Sequence, residues 1–170
     1  MKKYFFISIC LFTASQLLAQ NRIEIPFTMD RNLILIKAEL TSTGEQSFIF
    51  DTGTESIMLW NELANKYKLV GLDSMTTPDG IFVETQEKVN IPDLSYGNLK
   101  LNNRVATKMP KQMIFSNKAV GIIGLKTFAD FMITLDYINS KLILEKGSLK
   151  KQPDVIPINI EHILEAKVML

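Results

Sequence analysis

Apolar and polar residues alternate over residues 22–29, where Ile23, Ile25 and Phe27 interleave with Glu24 and Thr28. That period of two predicts a half-buried strand. Pro26 confines the strand to an edge or to an early position, because proline brings no N–H to a ladder. Residues 33–40 predict a second strand and 41–46 a turn, so 33–50 reads as a hairpin. Its second arm ends in the apolar run Phe48-Ile49-Phe50, followed by the acidic turn Asp51-Thr52-Gly53-Thr54-Glu55-Ser56 and a further apolar run, Ile57-Met58-Leu59. Residues 60–69 then take helical spacing, with Trp60, Leu63 and Tyr67 on one packing face and Gly71 as the stop.

The stretch 73–80 is the least apolar and most turn-rich of the chain, and 81–85 and 86–91 read as strand. Residues 94–101 and 102–106 predict two strands around a turn at Asn102-Asn103, while 108–118 is mixed in polarity and irregular. Val120-Gly121-Ile122-Ile123 is nearly continuous in apolar character, and Gly124 after it permits close backbone approach. A short helix over 125–131 and a hairpin over 133–144, turning at Asn139-Ser140, complete the pattern. Asp136, between Leu135 and Tyr137, reads as a strand-end aspartate with a structural role. The pattern as a whole is mainly β with one or two short helices. Ile156-Pro157 and the strand-like residues after it echo Ile25-Pro26 and the strand 33–40. This predicts either the opening of a second, truncated copy or a terminal strand that pairs at a subunit interface. His162, the sole histidine, reads as a solvated strand-end residue.

Composition narrows the class. At 170 residues the chain accommodates one ordinary domain, and 46% hydrophobic with 22% charged residues is globular rather than disordered. A net charge of +1 without a dense Lys/Arg cluster gives no reason to expect nucleic acid. Lys2 and Lys3, the apolar residues 4–12 and the small residues before Gln20 match a secretory signal peptide over 1–19, cleaved near Ala19, with an uncleaved anchor as the alternative although the apolar stretch is short for a membrane span. The expected location is therefore outside the cytoplasm, periplasmic or secreted, with the domain at 20–148 and a linker and terminal strand at 149–170. Cleavage leaves 17 basic against 18 acidic residues and removes Cys10, the only cysteine. A mature chain without thiols has no disulfide, no zinc-thiolate centre and no cysteine nucleophile. Cys10 itself lacks the preceding small residues of a lipid-attachment site.

The candidate chemistry lies at Asp51. An aspartate placed directly after three bulky apolar residues needs a partner if it is to be held out of water. Gly53 frees the backbone to turn and the Thr52 hydroxyl offers a local hydrogen bond. Asp-Thr-Gly is also an ordinary turn sequence, and the later Gly121-Ile122-Ile123-Gly124-Leu125 is what adds weight to the functional reading.

Together, Phe48-Ile49-Phe50-Asp51-Thr52-Gly53-Thr54 and Gly121-Ile122-Ile123-Gly124-Leu125 resemble the retropepsin-like aspartic proteases, in their bacterial, exported form; the likeness extends over residues 23–146. The resemblance implies a closed β-barrel lobe and an aspartic-type endopeptidase with Asp51 as its catalytic carboxylate. It implies that Thr52, Gly53 and Thr54 shape the catalytic turn, with Thr52 bonding across a two-fold axis, and that Ile123 and Gly124 support the turn from behind. A flap with its tip near Pro78-Asp79-Gly80 would set Gly80 and Ile81 against an extended peptide or protein substrate. No metal or organic cofactor is implied. One Asp-Thr-Gly provides half of a two-carboxylate site, so the resemblance calls for a homodimer or for a second lobe in a longer chain. Two other readings stay open: an exported, non-catalytic β domain that binds peptide or polymer, and an envelope-associated β protein in which Asp51 only caps a turn.

Overall fold

The computed structural model describes residues 22–76, 83–111 and 116–147. Ten strands are present: β1 (Arg22–Asp30), β2 (Leu33–Leu40), β3 (Gly44–Asp51), β4 (Ile57–Trp60), β5 (Lys68–Thr76), β6 (Val83–Tyr96), β7 (Leu99–Met109), β8 (Gly121–Gly124), β9 (Met132–Asp136) and β10 (Lys141–Glu145). Helix is limited to one α-turn, α1 (Asn61–Ala64), and one 3-10 turn (Leu125–Phe128).

The strands run in the order β5-β6-β7-β4-β8-β3-β2-β1-β10-β9, and a further pairing of β6 with β2 closes six of them, β2, β3, β8, β4, β7 and β6, into a barrel. Closure satisfies the backbone of those strands without leaving an open sheet edge. Alternate residues point inward, so Ile36, Phe48, Leu59, Ile91, Leu94 and Ile123 fill the barrel and are withdrawn from water. Phe128 from the 3-10 turn caps this core, with Tyr96 edge-on against it at 5.3 Å between ring centres.

β1 belongs to two sheets. Arg22–Pro26 pair with β10, whereas Phe27–Asp30 pair with β2. Pro26 stands at the change-over, at the end of a stretch with a neighbour on one side only, where a residue without an N–H is tolerated. The N–H of Phe27 then donates to the Ser140 carbonyl at 2.9 Å. β10 lies between β1 and β9, and β9 is the outer strand of this small sheet among the described residues. The hairpin turn is tight and ordered. Asp136 accepts from the Asn139 backbone N–H (3.0 Å) and Nδ2 (2.7 Å), the structural role expected of it, and Ser140 takes a left-handed conformation.

Three local expectations change. The helix read over 60–69 is only α1 and one tightening turn, with Lys66 N–H donating to Leu63 and Tyr67 N–H to Ala64. From Lys68 the chain is strand, because Leu69 and the residues after it pair with β6, and cross-strand pairing outweighs weak helical spacing. That strand continues to Thr76, through residues read as loop. The turn expected at Asn102-Asn103 falls instead at Gly97-Asn98, where Gly97 supplies a positive φ. Both asparagines sit inside β7, and Asn103 adopts φ 52° where Pro92 interrupts the facing ladder. Residues 1–19, Cys10, the segment 149–170, the second-copy pattern and His162 lie outside the described residues.

Candidate active site

β3 and β4 both pair with the short strand β8, from opposite sides. β3 runs parallel to it, setting Ile49 against Ile122, Phe50 against Ile123 and Asp51 against Gly124. β4 runs antiparallel, setting Ile57 against Ile123 and Met58 against Ile122. Residues 52–56 must therefore bridge across the end of β8. Three consecutive amides pin that bridge: Gly124 N–H donates to Ser56 (3.1 Å), Leu125 N–H to Thr54 (2.9 Å) and Lys126 N–H to Glu55 (2.9 Å). The Lys126 ammonium also pairs with the Glu55 carboxylate. The approach is close enough to require glycine, since a Cβ on Gly124 would lie 2.1 Å from the Thr54 carbonyl oxygen. Ile123 is fully buried between Phe50 and Ile57 and fills the barrel behind the turn.

Asp51 is half-buried at the end of β3. One carboxylate oxygen accepts from the Gly53 N–H at 2.8 Å, and the other accepts from the Thr54 hydroxyl at 2.6 Å. Two donors on different oxygens fix the plane of the carboxylate. The local hydroxyl bond expected of Thr52 is thus made by Thr54, whose i+3 spacing brings it back over the strand end. Thr52 is exposed and makes no side-chain hydrogen bond among the described residues. Gly53 departs from expectation as well. Its φ is not positive, and a Cβ there would meet only Asp51, at an ordinary 3.4 Å. The turn itself does not demand glycine at that position.

Asp51 and Ile49, two residues apart, share the face of β3 that points away from the barrel. Across that face run Leu35, Ile49, Ile122 and Met58 in register, and they cluster with Trp60 and Ala119. Residues 116–120 cross over the cluster. The Trp60 indole N–H donates to the Ala119 carbonyl (2.9 Å), Trp60 N–H to Val120 (2.9 Å) and Val120 N–H to Ser47 (2.9 Å). At its start the crossing is tied to β1: the Ser116 hydroxyl bonds the Asp30 carboxylate, and Lys118 pairs with it at 3.4 Å. The Ser116 bond, with help from Lys118, holds the Asp30 carboxyl below the usual range. Sequence reading left 108–118 without a role, since long-range latching of this kind has no local pattern.

β5 and β6 form a long hairpin whose arms are still paired at Met75–Glu84 and Thr76–Val83. Gly80 and Ile81, the residues expected at a flap, fall between those arms and outside the described residues. Among the described residues no cluster of three or more His, Cys, Asp or Glu could hold a metal ion.

No protein-family model matches this chain, and a search of curated proteins returns no match. Among solved structures, the chain is similar to a retropepsin-like aspartic protease from Rickettsia conorii, with a TM-score of 0.51 and 19% identity over 74% of this chain and 89% of that one. The likeness is one of fold, and it assigns the barrel described above to the retropepsin-like architecture.

Proposed function

We propose that the chain is an exported aspartic-type endopeptidase, with Asp51 supplying one of two catalytic carboxylates. The observation that carries this reading is the half-buried Asp51 carboxylate, oriented by Gly53 and Thr54 on a turn anchored by β8. A carboxylate held in this way is suited to exchanging protons with water. Hydrolysis needs a second such group close by, because two carboxyls in contact cannot both ionise and so share one proton. The ionised member takes a proton from water as the water oxygen bonds to the amide carbon, and the protonated member donates to the carbonyl oxygen. Collapse of the resulting diol breaks the C–N bond, with a proton passing to the departing nitrogen. A second copy of the chain, related by a two-fold axis, would supply the other Asp51, and the exposed Thr52 would face that axis. The substrate is an extended peptide, and the β5–β6 hairpin is the element suited to cover it.

Hydrolysis of unstructured peptides between about pH 4 and 7, comparing wild type with Asp51→Asn, tests the reading. Loss of cleavage in the variant is expected. Equal cleavage would defeat the mechanism, and peptide binding without cleavage in both would favour a non-catalytic binding domain.

A further inference from the structure

We infer that β1 receives an extended polypeptide segment as an added strand along its free edge at Arg22 and Glu24, inside a cleft walled by the β6–β7 turn. The topology builds this edge. One side of β2 is taken by β3 from Ile34 to Leu40. On its other side β1 takes residues 33–36 and β6 takes Glu39 and Leu40. The two neighbours diverge between those points, so Arg22–Pro26 has β10 on one side and no strand on the other. Register shows which backbone groups lie free. The Phe27 N–H points toward β10, donating to the Ser140 carbonyl at 2.9 Å. Orientation alternates along an antiparallel strand, so Ile25 and Ile23 also face β10, whereas Arg22, Glu24 and Pro26 face away. Pro26 has no N–H to offer there. Glu24 has both an N–H and a carbonyl, and neither has a partner among the described residues. Arg22 and Glu24 are exposed, so the edge is open to a ligand.

The cleft beside this edge measures about 670 Å³, within the ordinary range for ligand sites. Ile23, Tyr96, Leu99 and Phe131 give it an apolar wall. Arg22 is already engaged by Glu24 and Glu145, each at 3.0 Å. Lys146, which also lines the cleft, is exposed and forms no salt bridge among the described residues. These features select the occupant. Outward N–H and carbonyl groups in a row are met best by another main chain. Its alternation then sends every second side chain onto the apolar wall and the others toward Lys146 and water. The chemistry that fits is an extended peptide with apolar residues at alternate positions and an acidic residue between them. A folded second copy fits poorly, because its own β1 edge is flanked by the same turn and the cleft has room for a single strand. The inference is independent of the chemistry proposed at Asp51.

Nuclear magnetic resonance of the full chain carrying Asp51→Asn, chosen so that the probe stays intact, tests the edge. The probe is the acetylated and amidated peptide Thr-Val-Asp-Val-Thr-Val. At about 1 mM it is expected to shift the Arg22 and Glu24 amides and to slow hydrogen exchange at Glu24. Glu24→Pro removes the outward N–H at a position where no ladder bond is lost, so the chain should stay folded while affinity falls about 10-fold. Lys146→Glu should weaken binding of this peptide and strengthen binding of a version with Lys in place of Asp, an exchange that damage to the fold would not produce. No shift at Arg22 and Glu24, shifts confined to the Asp51 turn and the β5–β6 hairpin, or Glu24→Pro binding as tightly as the parent would overturn the inference. Cleavage by wild type against Asp51→Asn decides the catalytic reading separately.

Discussion

Gly124 lies directly beneath Thr54, so close that a methyl group on the glycine would sit 2.1 Å from the threonine carbonyl oxygen and 2.6 Å from the Glu55 carbonyl carbon. Both obstacles are backbone, and both belong to the turn that presents Asp51. Strand β8 therefore supports the candidate site by contact as well as by its three amide bonds.

Gly124→Ala should destabilise the fold by about 3 kcal/mol, the upper range for forcing an extra carbon into a packed interior. The damage should centre on residues 52–56, because the turn is the part that must move. Denaturant unfolding measures the loss. Hydrogen exchange at the Leu125 and Lys126 amides, which donate to that turn, locates it.

Tyr96 carries a different kind of strain. Its hydroxyl is buried without a hydrogen-bond partner among the described residues, and burial pushes its ionisation well above the ordinary phenol range. Leaving a buried donor unmade costs about 1–3 kcal/mol. Tyr96→Phe keeps the ring against Phe128 and removes the orphan, so it should leave stability unchanged or raise it by about 1 kcal/mol. The wild-type phenol, with its folded pKa raised, contributes stability below pH 10 that fades as pH rises above that value. Unfolding curves of both proteins at pH 7 and 11 should therefore diverge further at the alkaline end.

Much of this architecture is legible in the sequence, and the exceptions share a cause. The hairpin of β2 and β3, the apolar run of β8 and the β9–β10 turn show because each rests on period-two alternation or on local turn chemistry. β5 was hidden because Lys68 to Thr76 is stabilised by its partner strand and not by its own pattern. Asp51 is legible as an acid at a strand end. The hydroxyl that orients it is not, since Thr52 and Thr54 look equally able until the turn geometry chooses Thr54. The Asp30–Ser116 link joins residues too distant in sequence for any local signal to mark.

Several carboxyls titrate below their ordinary range: Asp30 through Ser116, Glu24 through Lys141, Asp136 through the Asn139 side chain and Asp73 through Lys88. Each folded pKa is lower than its unfolded value of 3.8, or 4.5 for Glu24. The stabilisation is thus present above those values and is lost as pH falls through the folded ones. The thermal midpoint should hold steady down to about pH 5 and decline below about pH 4. Trp60, the only tryptophan, reports on the Asp30 link through its bond to Ala119. Asp30→Asn should flatten part of the acid decline and shift Trp60 emission to longer wavelength at neutral pH.

Gly53 separates a catalytic dimer from a turn that merely looks like one. Within a single chain it has an ordinary φ, an exposed position and room for a methyl group 3.4 Å from Asp51. Gly53→Ala should then change stability by less than about 0.5 kcal/mol, as at other unconstrained surface sites. If two copies bring their turns together, that same methyl group stands between them. Peptidase activity should fall by at least ~100-fold, the scale expected when a reacting pair is set about 1 Å out of place. Activity that survives the substitution would mean the turns do not meet, and Asp51 would lose the partner its proposed chemistry requires.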